Sequence, residues 1–282
     1  MRVAGALTLV LLLACRAGRP QAPQAPSVGG PRPETLQSFD AYVRLTEARL
    51  DAQLRNRDGF LWADTAEKRK RVRSAGALCE PRNNKGDVKV AGGLIHDWAG
   101  AAFIPGAAVP RVLALVQDYD NHKKTYKPDV LDSKMVERRG DDFKVRLRLL
   151  ERKVITVVMD TEYDVHYQPL EGGDWRSRSY SARIVEIANP GGPRERERTP
   201  REDRGFLWRL NSYWLFRQRD GGVYVECEAV SLSRGVPAAL EWLIDPIIRG
   251  MPRDILTNTL RATRRLALAD LAGGGRPPGL PD

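Results

Sequence analysis

The chain of 282 residues has few of the side chains that most often carry catalysis or hold metals. It contains three histidines and three cysteines, and no pair of them has the spacing of a zinc site. It also lacks a G-x-S-x-G elbow, a Walker glycine loop and a dinucleotide-binding fingerprint. The sequence therefore predicts no metal and no cofactor, and no catalytic residue is identified by a motif.

The apolar run near the start of the chain is too short for a transmembrane helix. Residues 3–14 fall well short of the roughly 20 apolar residues that span a bilayer. With Arg2 before it, the run has the proportions of a secretory signal peptide. It ends in LLAC, which resembles the lipobox of bacterial lipoproteins, although Leu13 is bulky for its position. We expect residues 1–15 to be a signal peptide and Cys15 to be the lipidation site.

The segment after Cys15 has the composition of a tether. Residues 16–34 are rich in Pro, Gly, Ala and Gln, show no apolar periodicity, and are predicted to form a disordered linker. Residues 270–282 are predicted to be a disordered tail. We expect an exported protein of the cell envelope or periplasm, attached to the membrane through its lipid. Cleavage after Ala17, which would leave the protein without an anchor, is the alternative.

The charge composition does not indicate a nucleic-acid partner. The formal net charge is +10, but it is the difference between 46 basic and 36 acidic residues spread along the chain. No predicted surface combines basic with aromatic side chains, as a nucleic-acid site would, and an export signal argues against such a partner. The oligomeric state is left open.

The rest of the chain divides into a helical segment followed by strands. Within residues 35–80, apolar side chains recur at helical spacing and Gly76 can end a second helix, so we predict an N-terminal helical extension. Within residues 86–269, short runs alternate apolar and polar residues, which is typical of antiparallel strands. The alternation of His96 and Trp98 places both on the apolar side of their strand.

The last two predicted strands can be placed in register. Arg219 to Gly222 reads as a hairpin turn, which sets Phe216 opposite Val225 and Trp214 opposite Cys227. One face of the pair is then apolar: Leu210, Ser212, Trp214, Phe216, Val223, Val225, Cys227 and Ala229. The other face is polar and predicted to be exposed to water: Arg209, Asn211, Tyr213, Arg217, Tyr224, Glu226 and Glu228.

A long C-terminal helix follows, with an apolar stripe that needs a partner. The stripe includes Leu240, Leu243, Ile247 and Ile255, and Pro246 and Pro252 should bend the helix. The apolar face of the sheet is the available partner. The predicted fold class is α+β: a curved antiparallel sheet wrapped on a long C-terminal α-helix, with the helical extension before it.

This order of elements resembles the helix-grip fold of the START-like superfamily, which includes lipid-transfer domains, polyketide cyclases and coenzyme Q-binding proteins. The stretches GGLIHDWAGAAFIPGA, VQDYDNHKKTYKPDV and the hairpin-to-helix passage carry the resemblance, over residues 86–269. It implies a hydrophobic cavity between sheet and helix, and a lipid, quinone or similar apolar ligand as the partner. The predicted lining residues are His96, Trp98, Trp214, Leu243 and Ile247.

Two alternatives remain open from the sequence. The chain could be a non-catalytic envelope protein whose core is filled and which binds a protein partner. It could also be an enzyme of cyclase or hydrolase type that uses His96 with Asp97 or Tyr213, although strand alternation turns both of those residues away from the His96 face. Because no catalytic motif is present, the sequence favours binding over catalysis.

Overall fold

The computed structural model describes residues 29–56, 59–83, 86–152, 156–235 and 241–273, with side chains from Pro252 onward in the last range. The described residues form five α-helices, α1 (Pro33–Leu54), α2 (Ala66–Ala75), α3 (Val109–Val116), α4 (His122–Thr125) and α5 (Glu241–Ala272). They also form ten strands, β1 (Ala77–Pro81), β2 (Asp87–Val90), β3 (Gly93–Pro105), β4 (Val130–Arg139), β5 (Asp142–Arg152), β6 (Thr156–Pro169), β7 (Trp175–Ala188), β8 (Arg196–Glu197), β9 (Arg209–Arg219) and β10 (Gly222–Arg234).

The strands build one antiparallel sheet in the order β1-β3-β10-β9-β7-β6-β5-β4, with β2 also paired to β3 and β8 to β7. The predicted hairpin register is confirmed, since Phe216 pairs with Val225 and Trp214 with Cys227. The turn between β9 and β10 has positive φ at Asp220 (56°) and Gly221 (74°). That pair of angles belongs to the tight turn whose twist matches antiparallel strands.

One side of the sheet, here called the α5 face, carries the main apolar core. Phe216, Val225 and Cys227 are buried on it against Leu256 and Leu260 of α5. Helix α3 adds Val109, Val112, Leu113 and Val116 to the same core. An antiparallel sheet with a long C-terminal helix on one face is the helix-grip arrangement that the sequence predicts.

The other side of the sheet, here called the α1 face, corrects one prediction. We expected it to be exposed to water, but Tyr213, Tyr224, Glu226 and Glu228 are buried there. Phe39 and Leu50 of α1, together with the segment 60–63, cover these side chains. The prediction was wrong because the apolar spacing in α1 showed that the helix needed a partner but did not show which side of the sheet it would cover.

The boundaries of the predicted segments differ in places from the elements observed. Residues 77–80, which we counted in the helical extension, belong to strand β1 beside β3. Residues 270–272, which we counted in the tail, continue α5. Residues 1–28, with the predicted signal peptide, Cys15 and most of the predicted linker, lie outside the described residues. In the part of the chain that the structure describes, no helix combines the length and apolar character needed to cross a membrane.

Candidate functional site

Small side chains run across the middle of the α5 face. Trp98 of β3 pairs with Ala229 of β10, Ala229 with Ser212 of β9, and Ser212 with Ser179 of β7. Directly paired residues in antiparallel strands share a face, so this row lies on the α5 face. The small residues of the row and its neighbours are here called the trough: Ser177, Ser179, Ser181, Ser212 and Ala229.

Larger apolar side chains border the trough along the strands. The Trp214 ring lies parallel to the Phe216 ring at a centroid distance of 6.2 Å, and its Nε1 donates a hydrogen bond to Ser212 Oγ at 3.1 Å. Tyr163 and Val165 of β6 pair with Ser181 and Ser179, so they border the trough on the side away from β9. A floor of small side chains with an apolar border is chemically suited to an apolar ligand.

Several border and floor residues of the trough are only half-buried. Ser179, Ser181, Leu210, Ser212 and Trp214 all keep part of their surface accessible to water. On the same face, Phe216, Val223 and Val225 are almost completely buried. The α5 face is therefore closely packed at one end and accessible over the trough.

The helices leave the trough partly open because of where they lie. Helix α5 makes its closest backbone approaches to β3, β1 and β10, while α3 lies against β9 and α4 against β4. Arg111 of α3 forms an ion pair with Asp270 of α5 and also donates to the Asp270 carbonyl oxygen at 2.5 Å. This pair fixes the C-terminal end of α5 against α3. Among the described residues, no helix approaches β7, which carries three serines of the trough, as closely as these helices approach their strands.

The structure places the predicted lining residues in three different positions. Trp214 borders the trough, and Trp98 lies at the end of the same row, with its indole against Gly86, where a Cβ atom could not fit. His96 lies further along β3, where it pairs with Ser231 and Asp87. Leu243 and Ile247 fall in the part of α5 whose side chains lie outside the described residues, as does Cys15.

His96 belongs to a buried polar cluster at the end of β10. Its Nε2 lies 2.9 Å from Ser233 Oγ, within hydrogen-bonding distance, and its Nδ1 lies 4.0 Å from Asp87 Oδ1. The two residues that we considered as acid partners lie on the opposite face. Tyr42 of α1 donates to Asp97 Oδ2 at 2.8 Å, and Tyr213 donates to Glu47 Oε1 at 3.1 Å. The predicted alternation of His96 against Asp97 is thus observed.

A second polar cluster on the α5 face was missed by the sequence analysis. The hydroxyl groups of Tyr119 and Tyr167 lie 2.9 Å apart, and His122 Nε2 lies 2.9 Å from the Val116 carbonyl oxygen. Burial raises the pKa of both tyrosines and lowers the pKa of His122 to about 4. Tyr167 alternates with Val165 on β6, and this signal could have placed it on the α5 face, but the irregular segment around Tyr119 gave none.

The described ranges contain no grouping of three or more histidine, cysteine, aspartate or glutamate side chains that could hold a metal ion. Cys79 of β1 and Cys227 of β10 are both free thiols and both lie opposite Gly100 of β3. Burial raises the pKa of Cys79 to about 11 and raises that of Cys227 as well. Both thiols are consequently protonated near neutral pH.

Comparisons with known proteins find similarity in the fold. No family model matches the sequence, and no curated protein matches it. Among solved structures, a STAR-related lipid transfer protein from Xanthomonas axonopodis is 18% identical, with a TM-score of 0.44 over 64% of this chain and 97% of that one. A START superfamily protein from Mycobacterium smegmatis is 11% identical, with a TM-score of 0.40 over 61% and 98%.

An aromatase/cyclase, Zhui from Streptomyces sp. R1128, also aligns, at 13% identity and a TM-score of 0.38 over 64% of this chain and 99% of that one. The similarity to these structures, at identities of 11–18%, is one of fold alone.

Proposed function

We propose that the protein binds a neutral, largely apolar small molecule, such as a lipid or a quinone, in the trough on the α5 face. One observation carries the proposal: serine and alanine side chains occupy a row across β10, β9 and β7, while Leu210 and Trp214 beside them stay half-buried. A protein core of this size is normally filled by interlocking large side chains. A row of small residues below a helix leaves room that a ligand can occupy.

The chemistry of the trough favours a ligand without charge. Its floor consists of hydroxyl and methyl groups, and its border consists of Leu210, Trp214, Val165 and Tyr163. An ion placed among these groups would lose its hydration without gaining an opposite charge. The serine hydroxyls can instead bond a carbonyl or hydroxyl group of a ligand whose remaining surface is apolar.

We also propose that the protein works at the cell envelope, tethered to a membrane through Cys15. This proposal rests on the sequence alone, namely the signal-peptide proportions of residues 1–15 and the linker composition of residues 16–34. Metabolic labelling with a palmitate analogue, compared between the natural chain and Cys15→Ser, tests it. Label that persists in the variant would overturn the assignment.

Ligand binding is tested by native mass spectrometry of the protein purified from a bacterial envelope, with organic extraction of what co-purifies. The matched variants are Ser179→Phe, which fills the trough, and Ala182→Phe, which adds the same side chain at an exposed position of the same strand. We expect an added mass of lipid or quinone size in the natural protein and in Ala182→Phe, and its loss in Ser179→Phe.

A protein that carries no added mass and takes up no fluorescent lipid would contradict the proposal. That result would favour the other sequence-based hypothesis, a filled-core protein that binds a partner at its surface. An added mass that survives Ser179→Phe in a folded protein would place the ligand elsewhere than in the trough.

A further inference from the structure

Three buried side chains at the end of the α5 face have the order of groups found in serine hydrolases. Ser233 Oγ lies 2.9 Å from His96 Nε2, and the other ring nitrogen of His96 lies 4.0 Å from Asp87 Oδ1. A nucleophile within hydrogen-bonding distance of a base, and a base beside a carboxylate, is the arrangement by which a serine hydroxyl is activated. We propose that Ser233, His96 and Asp87 form a hydrolytic site for esters with an apolar acyl group.

The fold brings these residues together from distant parts of the chain. His96 pairs with Asp87 on one side and with Ser231 on the other, and Ser233 is two residues further along β10. Since directly paired residues and residues two apart share a face, all three groups lie on the α5 face. His96 and Ser233 are 4% and 7% exposed, which keeps the hydrogen bond between them out of competition with bulk water.

The position of the site determines the class of substrate. Ser233 lies on the same face as the trough, near the end of β10, where it pairs with the buried Leu94; the next two pairs on that face toward the trough are His96 with Ser231 and Trp98 with Ala229. The preference for an apolar acyl group rests on the proposed function, because the apolar ligand bound in the trough would provide the acyl group. The ester bond would lie at the end of the trough, where the chain leaves the sheet toward α5.

The reaction balances with water as the only co-reactant. Ser233 Oγ bonds to the ester carbonyl carbon while its proton passes to His96 Nε2. The bond between that carbon and the alcohol oxygen then breaks, and His96 returns the proton to the alcohol, which leaves an acyl-serine. A water molecule attacks the acyl-serine, gives one proton to His96, and releases the acid as the proton returns to Ser233 Oγ. Asp87 is a positioning residue that stabilises the protonated ring.

Covalent labelling by an alkyl fluorophosphonate tests the nucleophile directly. An activated serine displaces the fluoride and keeps the phosphonate, which intact mass and peptide mapping can locate. We expect one adduct per chain on Ser233 and none in Ser233→Ala. Ser231→Ala is the matched control, because Ser231 is also buried on the same face of the same strand, and it should label as the natural protein does.

Hydrolysis of p-nitrophenyl esters tests the base and the acyl preference. His96→Gln should lower both the labelling rate and the hydrolysis rate by at least about 100-fold, the smallest usual contribution of a general base. Octanoate should be hydrolysed with a higher kcat/KM than acetate. Asp87→Asn should lower kcat and leave KM unchanged, which a merely structural loss would not do, and Asp87→Glu should restore part of the rate.

An adduct on any residue other than Ser233, absence of an adduct on the folded natural protein, or full hydrolysis by Ser233→Ala would overturn the inference. Native mass spectrometry of Ser233→Ala separates this failure from failure of the proposed function. If the added ligand mass is present and Ser233 does not react, only the hydrolytic site is disproved. If the ligand mass and the reaction are both absent, both proposals are disproved.

Discussion

The two faces of the sheet are both covered by helices but are held together in different ways. On the α5 face the core is mainly apolar, with Phe216 and Leu260 both part of it, and the half-buried trough lies beside it. On the α1 face the contacts depend on polar side chains: Tyr42 bonds Asp97, Arg49 pairs with Glu228, and Arg178 donates to Asp51 at 2.5 Å. A cavity beside Leu50 and Leu54 of α1 has a volume of about 10 Å³, which is room for one water molecule.

This difference indicates that the two faces of the sheet have different roles. Apolar contacts are not directional, so a helix held by them can shift to admit a ligand with little loss of free energy. Buried hydrogen bonds and ion pairs lose much more when their geometry is disturbed. We infer that the α1 face fixes the shape of the sheet, and that the α5 face is the side that accommodates a ligand.

The largest effect should come from Glu226, whose side chain is fully buried on the α1 face. Its carboxylate accepts hydrogen bonds from the backbone N–H groups of Leu61 (2.7 Å), Trp62 (3.2 Å) and Ala63 (2.6 Å). Glu226→Ala leaves all three buried donors without an acceptor and should lower the free energy of unfolding by about 4 kcal/mol. Urea denaturation measures the loss.

Two further variants test whether a polar contact on the α1 face contributes more to stability than an apolar contact on the α5 face. Glu226→Gln keeps one acceptor oxygen and should lose less than half as much as Glu226→Ala. Val225, the preceding residue, is also fully buried but lies on the α5 face, and Val225→Ala should cost about 2 kcal/mol through lost apolar burial and the cavity left behind. If Val225→Ala proved more costly than Glu226→Ala, the assignment of the polar face as the rigid one would be wrong.

The α1 face should lose stability as the pH rises. Burial raises the pKa of Asp97 and of Glu226 to about 7 each; around Asp97, Glu228 raises it further, while Tyr42, Arg49 and Arg82 act in the opposite direction. Both groups bind protons in the folded state that the unfolded chain releases near pH 4. Their stabilisation is complete below about pH 4 and should fall by about 5 kcal/mol in all, half from each group, between pH 5 and pH 8.

Chemical denaturation across this pH range checks the expected slope. Asp97→Asn should remove about half of this loss, because of the two carboxyl groups only Glu226 would still bind its proton more tightly in the folded state. A slope that is unchanged in Asp97→Asn would show that Asp97 is ionised in the folded protein throughout.

The α5 face should respond to pH in the opposite direction. The pKa of His122 is lowered to about 4 by burial, whereas an unfolded histidine has a pKa near 6.5. The unfolded state therefore binds a proton that the folded state does not. The resulting stability is present above about pH 6.5 and should fall by about 2 kcal/mol between pH 7 and pH 5.

The matched variant is His122→Gln, which can still donate a hydrogen bond to the Val116 carbonyl oxygen but does not titrate. The free energy of unfolding of this variant should not fall as the pH drops below 6.5. The opposite pH dependence, which comes from Asp97 and Glu226, should be larger than in the natural protein. Thermal or urea unfolding at pH 5, 6 and 7 measures both. A variant that loses stability at acid pH as steeply as the natural protein would contradict the assignment.

The smallest effect should come from the ion pairs at the rim of the α1 face. Asp51 accepts hydrogen bonds from Arg176 (2.6 Å) and Arg178 (2.5 Å), but its side chain is 38% exposed. Asp51→Asn should therefore cost only about 0.5–1 kcal/mol, and less at high salt. Leu45→Ser on the same helix, at a position 73% exposed, should leave stability within about 0.5 kcal/mol.

The sequence predicted the sheet, the final hairpin register and the C-terminal helix because each depends on local periodicity. Most polar residues of residues 209–217 and 223–234 fall at alternate positions, and a two-residue turn fixes how Phe216 pairs with Val225. The cover on the α1 face could not be predicted, because Glu226 and Glu228 have the pattern of exposed residues. Only the tertiary fold shows that segment 60–63 and Arg49 bond to them.

Only part of the candidate site could be predicted from the sequence. Trp214 and the small residues Ser212 and Ala229 were placed on the apolar face by alternation alone. The approach of Ser233 to His96 could not be predicted, since it depends on strands β3 and β10, which are more than 100 residues apart in the sequence. No local sequence pattern shows with which distant strand a given strand will pair.

The pairing of β3 with β10 affects how the chain folds while it is being synthesised. Strands β4 to β7 pair with their sequence neighbours, and β1 to β3 form a second local group, so each group can form soon after it leaves the ribosome. The two groups meet only through β10, which pairs with β3 on one side and with β9 on the other. Until residue 234 has been synthesised, β3 has one open edge, and a nascent chain that stalls earlier exposes a strand that chaperones must protect from aggregation.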